Sequence, residues 1–132
     1  MSRIEFTVPG TAKSTQTGSI FRTKDGRCFP SRRNPEYSAK VALFAQQAKT
    51  KEKWVCATGP IKLEITVARQ KPKKMPEWLP TSRPDIDNLI KGVMDAMNGI
   101  FYTDDKQVVS LHVYKVWAEK EPYVDIEVEK WE

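Results

Sequence analysis

Cysteine and histidine are scarce in this sequence, and their scarcity removes a whole class of sites. Cys28 and Cys56 lie outside any C-x-x-C pair, and His112 is the one histidine among 132 residues. A zinc site of the usual Cys/His kind is not expected from that set. No Ser/His/Asp or Cys/His arrangement for nucleophilic catalysis can be drawn either, and His112 falls within a strand pattern, where a structural role is expected. Long apolar runs are missing too: none approaches a membrane span, and no signal-peptide pattern opens the chain. The expected setting is cytoplasmic, with no membrane contact and both cysteines as reduced thiols. Internal repeats and low-complexity tracts are absent as well.

What is present suits one globular domain over residues 1–132, with 39% hydrophobic and 30% charged residues. Lysine and arginine number 22 against 17 acids, a net charge of +5. That excess suits a polyanionic partner such as DNA or RNA, although charge alone does not select one. Its meaning depends on where the carboxylates fall, because a nuclease needs cations to hold phosphates and a few aspartates to hold a metal among them.

Arg3 to Val8 alternates polar and apolar residues before Pro9-Gly10 and reads as a half-buried strand. Thr11 to Gly18 is a polar loop. Ile20 to Phe29, folded about Lys24-Asp25-Gly26, reads as a short hairpin. Asn34-Pro35 opens a first helix, with Val41, Phe44, Ala45 and Ala48 at helical spacing and an end before Trp54. Ile61, Leu63, Ile65 and Val67 alternate as a strand. Residues 71–84 form a loop with Pro72, Pro76, Pro80 and Pro84, and a second helix follows from Ile86 to Met97, stopped by Asn98-Gly99. Val108 to Trp117 and Tyr123 to Trp131 read as two strands with Glu119 to Pro122 as the turn between them. The order predicts an α+β domain with two main helices packed on a mixed sheet.

The acids concentrate in Arg83-Pro84-Asp85-Ile86-Asp87-Asn88-Leu89-Ile90-Lys91 and in Tyr102-Thr103-Asp104-Asp105-Lys106-Gln107-Val108. Ile86, Leu89, Ile90, Val93 and Met97 form one stripe of the second helix, and Asp87, Lys91 and Asp95 follow a ridge beside it. Asp85 stands at the N-cap, so Asp85 and Asp87 sit together at the helix start. Two such carboxylates repel and call for a cation, which Mg²⁺ supplies with hard oxygen ligands. Asp104 and Asp105 precede a strand, and a compact fold could return that turn to the helix N-terminus as a third acid. Spacing alone also admits plainer readings. Asp85 and Asp87 suit a cap and the helix dipole, Asp87 with Lys91 a surface ion pair, and Asp104-Asp105 a solvated turn. Asp95 reads as helix surface. Lys71, Lys73, Lys74 and Arg83 flank the helix and are the expected phosphate contacts, unless the loop is merely solvated. Arg22, Lys24, Arg27, Arg32 and Arg33 form a second basic group, and Trp78 is expected to pack within its proline-rich loop.

The pattern D-I-D-N-L-I-K-x₃-D-A, followed by G-I-F-Y-T-D-D-K-Q-V-V, resembles the RusA family of Holliday junction resolvases over residues 83–109. The resemblance implies a homodimeric, Mg²⁺-dependent endodeoxyribonuclease, with Mn²⁺ as the alternative ion. It would cut four-way junction DNA by paired symmetric nicks in recombination and repair. It carries the family's metal ligands onto Asp85, Asp87 and Asp105, its motif lysine onto Lys91 as a support for catalysis, and leaves Asp104 secondary. The departure lies in the basic run, here split by Met75 to Pro80, which bears on junction contacts more than on chemistry. A non-catalytic basic DNA-binding module, and a related nuclease acting on flaps or forks, are the competing readings.

Overall fold

A computed structural model describes residues 2–14, 20–22, 28–30, 35–74 and 78–131. Its strands and helices run β1 (Arg3–Pro9), β2 (Ile20–Arg22), β3 (Cys28–Pro30), α1 (Pro35–Glu52), β4 (Ile61–Arg69), α2 (Ile86–Ala96), β5 (Val108–Trp117) and β6 (Tyr123–Lys130). The expected α+β class is what forms: a mixed four-stranded sheet in the order β1-β6-β4-β5, with β2 and β3 as a separate antiparallel pair. The hairpin turn at Lys24-Asp25-Gly26 and the Asn34 cap lie outside the described residues.

Strand alternation decides which face is buried. Ile61, Leu63, Ile65 and Val67 of β4, Val124, Ile126 and Val128 of β6, and Ile4 and Val8 of β1 all point into one core. Each such aliphatic side chain contributes about 1.5–3 kcal/mol relative to staying exposed. The helices supply Tyr37, Val41 and Ala45 from α1 and Leu89, Val93 and Met97 just past the end of α2, each set spaced by four. Ile86 belongs to the same stripe but is 37% exposed. First-turn side chains lean toward the helix N-terminus and overhang the core. The opposite face of the sheet is polar and mostly acidic, with Glu5, Glu64, Thr66, Asp125 and Glu127. Arg3 meets Glu127 there at 2.8 Å, and the Thr7 hydroxyl donates to Asp125.

Two features of the topology position the site. The first is the β4–α2–β5 unit, whose strands are parallel. A helix linking parallel neighbours must run antiparallel to both, so the start of β5 lies beside the end of α2, not its beginning. The second is the path after β5. The strands flanking Glu119 to Pro122 are not hairpin partners: β6 inserts between β1 and β4 and pairs antiparallel with each. The Ala118 amide donates to the Arg69 carbonyl at 2.8 Å as the chain leaves β5. The outer side of β5 therefore pairs with no other described strand.

Candidate active site

The start of α2 shows that its first acid is not committed to the helix. Asp85 occupies the N-cap with extended backbone, φ −72° and ψ 153°, yet its side chain makes no capping hydrogen bond. Its carboxylate is exposed, as is that of Asp87 in the first turn, and Lys91 is exposed one turn along. The plain capping role therefore does not account for Asp85. The loop that delivers it is tied from the sheet: Lys115 Nζ donates to the Ser82 carbonyl at 2.7 Å and to the Pro84 carbonyl at 3.1 Å. Lys115 follows Leu111 and Val113 along β5 and pairs with buried Val67. Its side chain thus lies on the helix-covered face, and its ammonium reaches beyond the core to the loop.

At the far end, Asp104 and Asp105 open a 3-10 turn over Asp105–Gln107. The two acids have different work. The Asp104 carboxylate accepts from the Lys106 amide at 3.0 Å and caps the turn. That backbone hydrogen bond, then a hydrogen bond with Asp105, holds Asp104 below its ordinary pKa. Asp105 is shifted the other way, first by burial and then by side-chain hydrogen bonds and repulsion involving Asp104 and Asp95. Asp95 is thus not plain helix surface: it is half-buried and meets Asp105. Beneath them Tyr102 is fully buried, donates to the Met94 carbonyl at 2.8 Å, and is held well above its ordinary pKa by burial and the three aspartates.

Gln107 fixes this turn. Its Oε1 accepts from the amides of Thr103 at 2.8 Å and Asp104 at 2.9 Å, while Nε2 donates to the carbonyls of Ala57 and Gly59, each at 2.9 Å. Both N–H groups and both acceptor positions of the amide are used. The acidic turn is thereby pinned to the segment before β4.

The structure separates the acids that were expected to meet. Asp87 and Asp95 stand eight residues apart on α2, roughly 12 Å along its axis at about 1.5 Å per residue. Asp105 is at the Asp95 end, so the turn does not return to the helix N-terminus; the parallel pairing of β4 with β5 forbids it. Among the described residues no group of three or more His, Cys, Asp or Glu side chains is placed to hold one metal ion. The donor chemistry still fits Mg²⁺. All candidates are carboxylates, and Asp105 is crowded by like groups in the way a divalent cation relieves.

Lys71, Lys73, Lys74 and Arg83 are all exposed in the loop leading to Asp85. Trp78, expected to pack, is instead 83% exposed. His112 is exposed on β5, and Cys56 is a free thiol. The side chains of Arg22, Lys24, Arg27, Arg32 and Arg33 lie outside the described residues. Sequence reasoning missed Gln107, Lys115 and the meeting of Asp95 with Asp105. Only Gln107 carried a signal, since Asp104-x-x-Gln107 has capping-box spacing. No described helix is long and apolar enough to cross a membrane.

Comparison with known proteins places these residues in context. The family model described as Endodeoxyribonuclease RusA matches residues 9–129. An uncharacterized protein, YqaN, of Bacillus subtilis (strain 168) is 35% identical over 140 residues, covering 96% of this chain and 95% of that one. The crossover junction endodeoxyribonuclease rusA of Lactococcus phage r1t is 36% identical over 129 residues, covering 94% of each.

Proposed function

The chain belongs to the RusA endodeoxyribonuclease family, and on that premise we propose that it resolves Holliday junctions by paired, symmetric, Mg²⁺-dependent nicks in DNA recombination and repair. The observation that supports this best is the start of α2, where Asp85 and Asp87 stand exposed, Asp85 makes no cap, and Lys91 follows on the same ridge.

The reaction is phosphodiester hydrolysis. Asp85 and Asp87 at the start of α2 would hold the metal, and Asp105, which lies at the opposite end of the helix within one chain, is the third acid that the family resemblance supplies. When bound, Mg²⁺ (or Mn²⁺) supplies Lewis acidity and a water of lowered pKa. Lys91 places a positive charge where negative charge develops on the scissile phosphate. Lys115 and Gln107 hold the two acid-bearing segments in place through backbone atoms. Lys71, Lys73, Lys74 and Arg83 hold the flanking phosphates, and exposed Trp78 offers a ring for an unpaired base. The acidic outer face of the sheet is unsuited to phosphate, which leaves the α2 side for DNA. We also propose a homodimer, because a four-way junction is two-fold symmetric and two nicks need two sites.

The test is a panel of labelled four-way junction, flap, fork and linear duplex, each incubated with Mg²⁺. Symmetric paired nicks in the junction, faster than any cut in the others, are expected; faster cutting of flaps or forks would shift the assignment to those substrates. Binding without cutting anywhere would favour the non-catalytic module.

Lys73→Ala with Lys74→Ala should weaken junction binding and lower the log–log salt slope by about 0.9 for each phosphate the double variant no longer neutralises. An unchanged slope would mean that neither lysine touches phosphate. Gln107→Ala should weaken Mn²⁺ binding, measured by calorimetry, by roughly 10-fold or more while junction affinity stays put, because supports of metal ligands have effects of that size. Unaltered metal affinity would show that the turn holds Asp105 without the clamp.

A further inference from the structure

β4 ends on an arginine whose charge the fold leaves unanswered. Ile61, Leu63, Ile65 and Val67 point into the core, and Arg69 is next in that alternation, so its side chain belongs to the helix-covered face. The backbone there is fixed: Arg69 pairs with Trp117, and its carbonyl accepts from the Ala118 amide at 2.8 Å. The residue is half-buried, yet its Nη1 is fully buried and has no hydrogen-bond partner among the described residues. Buried charged donors are normally paired, because an unpaired one costs the fold its desolvation. Nothing offsets that cost at Arg69: burial lowers its pKa, and no neighbouring acid raises it.

Strand register places this arginine beside the start of α2. Val67 stands opposite Lys115 and Arg69 opposite Trp117. Arg69 therefore lies one two-residue step, about 7 Å, further along the same face than Lys115. From that level Lys115 Nζ reaches the Ser82 and Pro84 carbonyls, so the loop that delivers Asp85 passes over this end of the sheet. The helix runs antiparallel to β4, which brings its first turn, with Asp87, to the same end. Lys115 is already engaged with those two carbonyls. Arg69 is the neighbouring cation with a donor to spare.

The surroundings select the anion. Lys71, Lys73, Lys74 and Arg83 stand exposed in the segment between Arg69 and Asp85, so the arginine begins a basic run that ends at the site. A guanidinium offers two parallel N–H groups that match two oxygens of one phosphate, a geometry an ammonium cannot present. Because the residue is half-buried, its stem can stay against the fold while the torsions near its tip turn Nη1 outward. That turn exchanges a buried, unpaired donor for a charge-assisted pair.

We propose, resting on the nuclease reading above, that Arg69 is a substrate-binding residue whose guanidinium turns outward to grip one phosphate of the DNA strand lying across the start of α2. It fixes that strand against the end of β4, a rigid element, whereas the lysines of the following loop supply charge alone. The free protein carries the cost of the unpaired nitrogen, and DNA relieves it.

Stability and binding should therefore move in opposite directions when the arginine is removed. Arg69→Met replaces a buried, unpaired cation by an apolar side chain of similar length, so the melting temperature should hold or rise. Its affinity for a four-way junction, measured in EDTA, should fall by about 10-fold or more, and the log–log salt slope should drop by about 0.9. Arg69→Lys should keep the slope but not the full affinity, since the charge remains and the fork is lost. A scan of junctions carrying a single neutral methylphosphonate locates the contact. One position should weaken binding by wild type and have no effect on Arg69→Met. In Mg²⁺ that position should flank the nick. A structural arginine gives the reverse: Arg69→Met melts lower or fails to fold, and any folded Arg69→Lys responds to every methylphosphonate as wild type does. Either result overturns the proposal, as does wild-type affinity in a folded Arg69→Met. Failure of wild type to cut any substrate would count against the nuclease reading, while the scan in EDTA still decides whether Arg69 holds a phosphate.

Discussion

Asp85→Asn, Asp87→Asn and Asp105→Asn are each expected to all but stop junction cutting, with rate losses on the order of 10²–10³-fold, the scale seen when one group that stabilises developing charge is removed. Junction binding should stay the same or tighten, since each change removes a negative charge near phosphates. Folding should hardly change for Asp85→Asn, because the carboxylate makes no capping bond to lose. Asp104→Asn is the contrasting variant. Its role is to cap the 3-10 turn, and asparagine caps as well as aspartate does, so most activity should remain. Cleavage rates and gel-shift affinities on one junction read all four. A wild-type rate from any of the first three removes that residue from the site; a dead Asp104→Asn beside an active Asp105→Asn would exchange their roles.

The second large effect is on stability. Phe101→Ala should cost about 3–5 kcal/mol, a substantial fraction of the stability of a domain this size. The ring is fully buried, 6.1 Å from Trp54 edge-on and 5.4 Å from Phe6 in a tilted contact. The backbone at this position is a junction too: the Phe101 carbonyl accepts from Trp54 Nε1 at 3.0 Å and from the Ala57 amide at 2.9 Å. A cavity there loosens the segment that carries Thr103 to Asp105, so cutting should fall along with stability. Urea unfolding monitored by tryptophan fluorescence measures the cost. A change below about 1 kcal/mol would mean the site collapses around the missing ring with little loss.

Local pattern made much of this legible. The stripe Leu89, Val93 and Met97 located α2 to within a residue of its end, and Ile61 to Val67 located most of β4, because periods of 3.6 and 2 are set by the geometry of each element alone. Acid spacing at the start of α2 also suited a cap and a surface ion pair, and it was the resemblance to the RusA family that singled the segment out. What stayed hidden is relational. A period of two tells which side of a strand is buried but not which strand lies next to it, so the insertion of β6 between β1 and β4 left no trace in the pattern. The destination of Asp105 depended on that pairing as well: with β5 parallel to β4, the turn before β5 can reach only the end of α2. Lys115 looked like an ordinary strand lysine because its partners are backbone carbonyls, which no residue type announces. Trp78 was expected to pack within its proline-rich loop, yet nothing described covers it.

Metal-dependent junction resolution is tested most directly by mapping the products of one reaction. Purified protein is incubated with a synthetic four-way junction labelled on each strand in turn, with Mg²⁺ or with EDTA, and the products are mapped to nucleotide resolution. The expected result is a pair of nicks at symmetric positions on two opposing strands with Mg²⁺, and an intact but still bound junction in EDTA. An uncut junction in Mg²⁺, or equal cutting in EDTA, would contradict it.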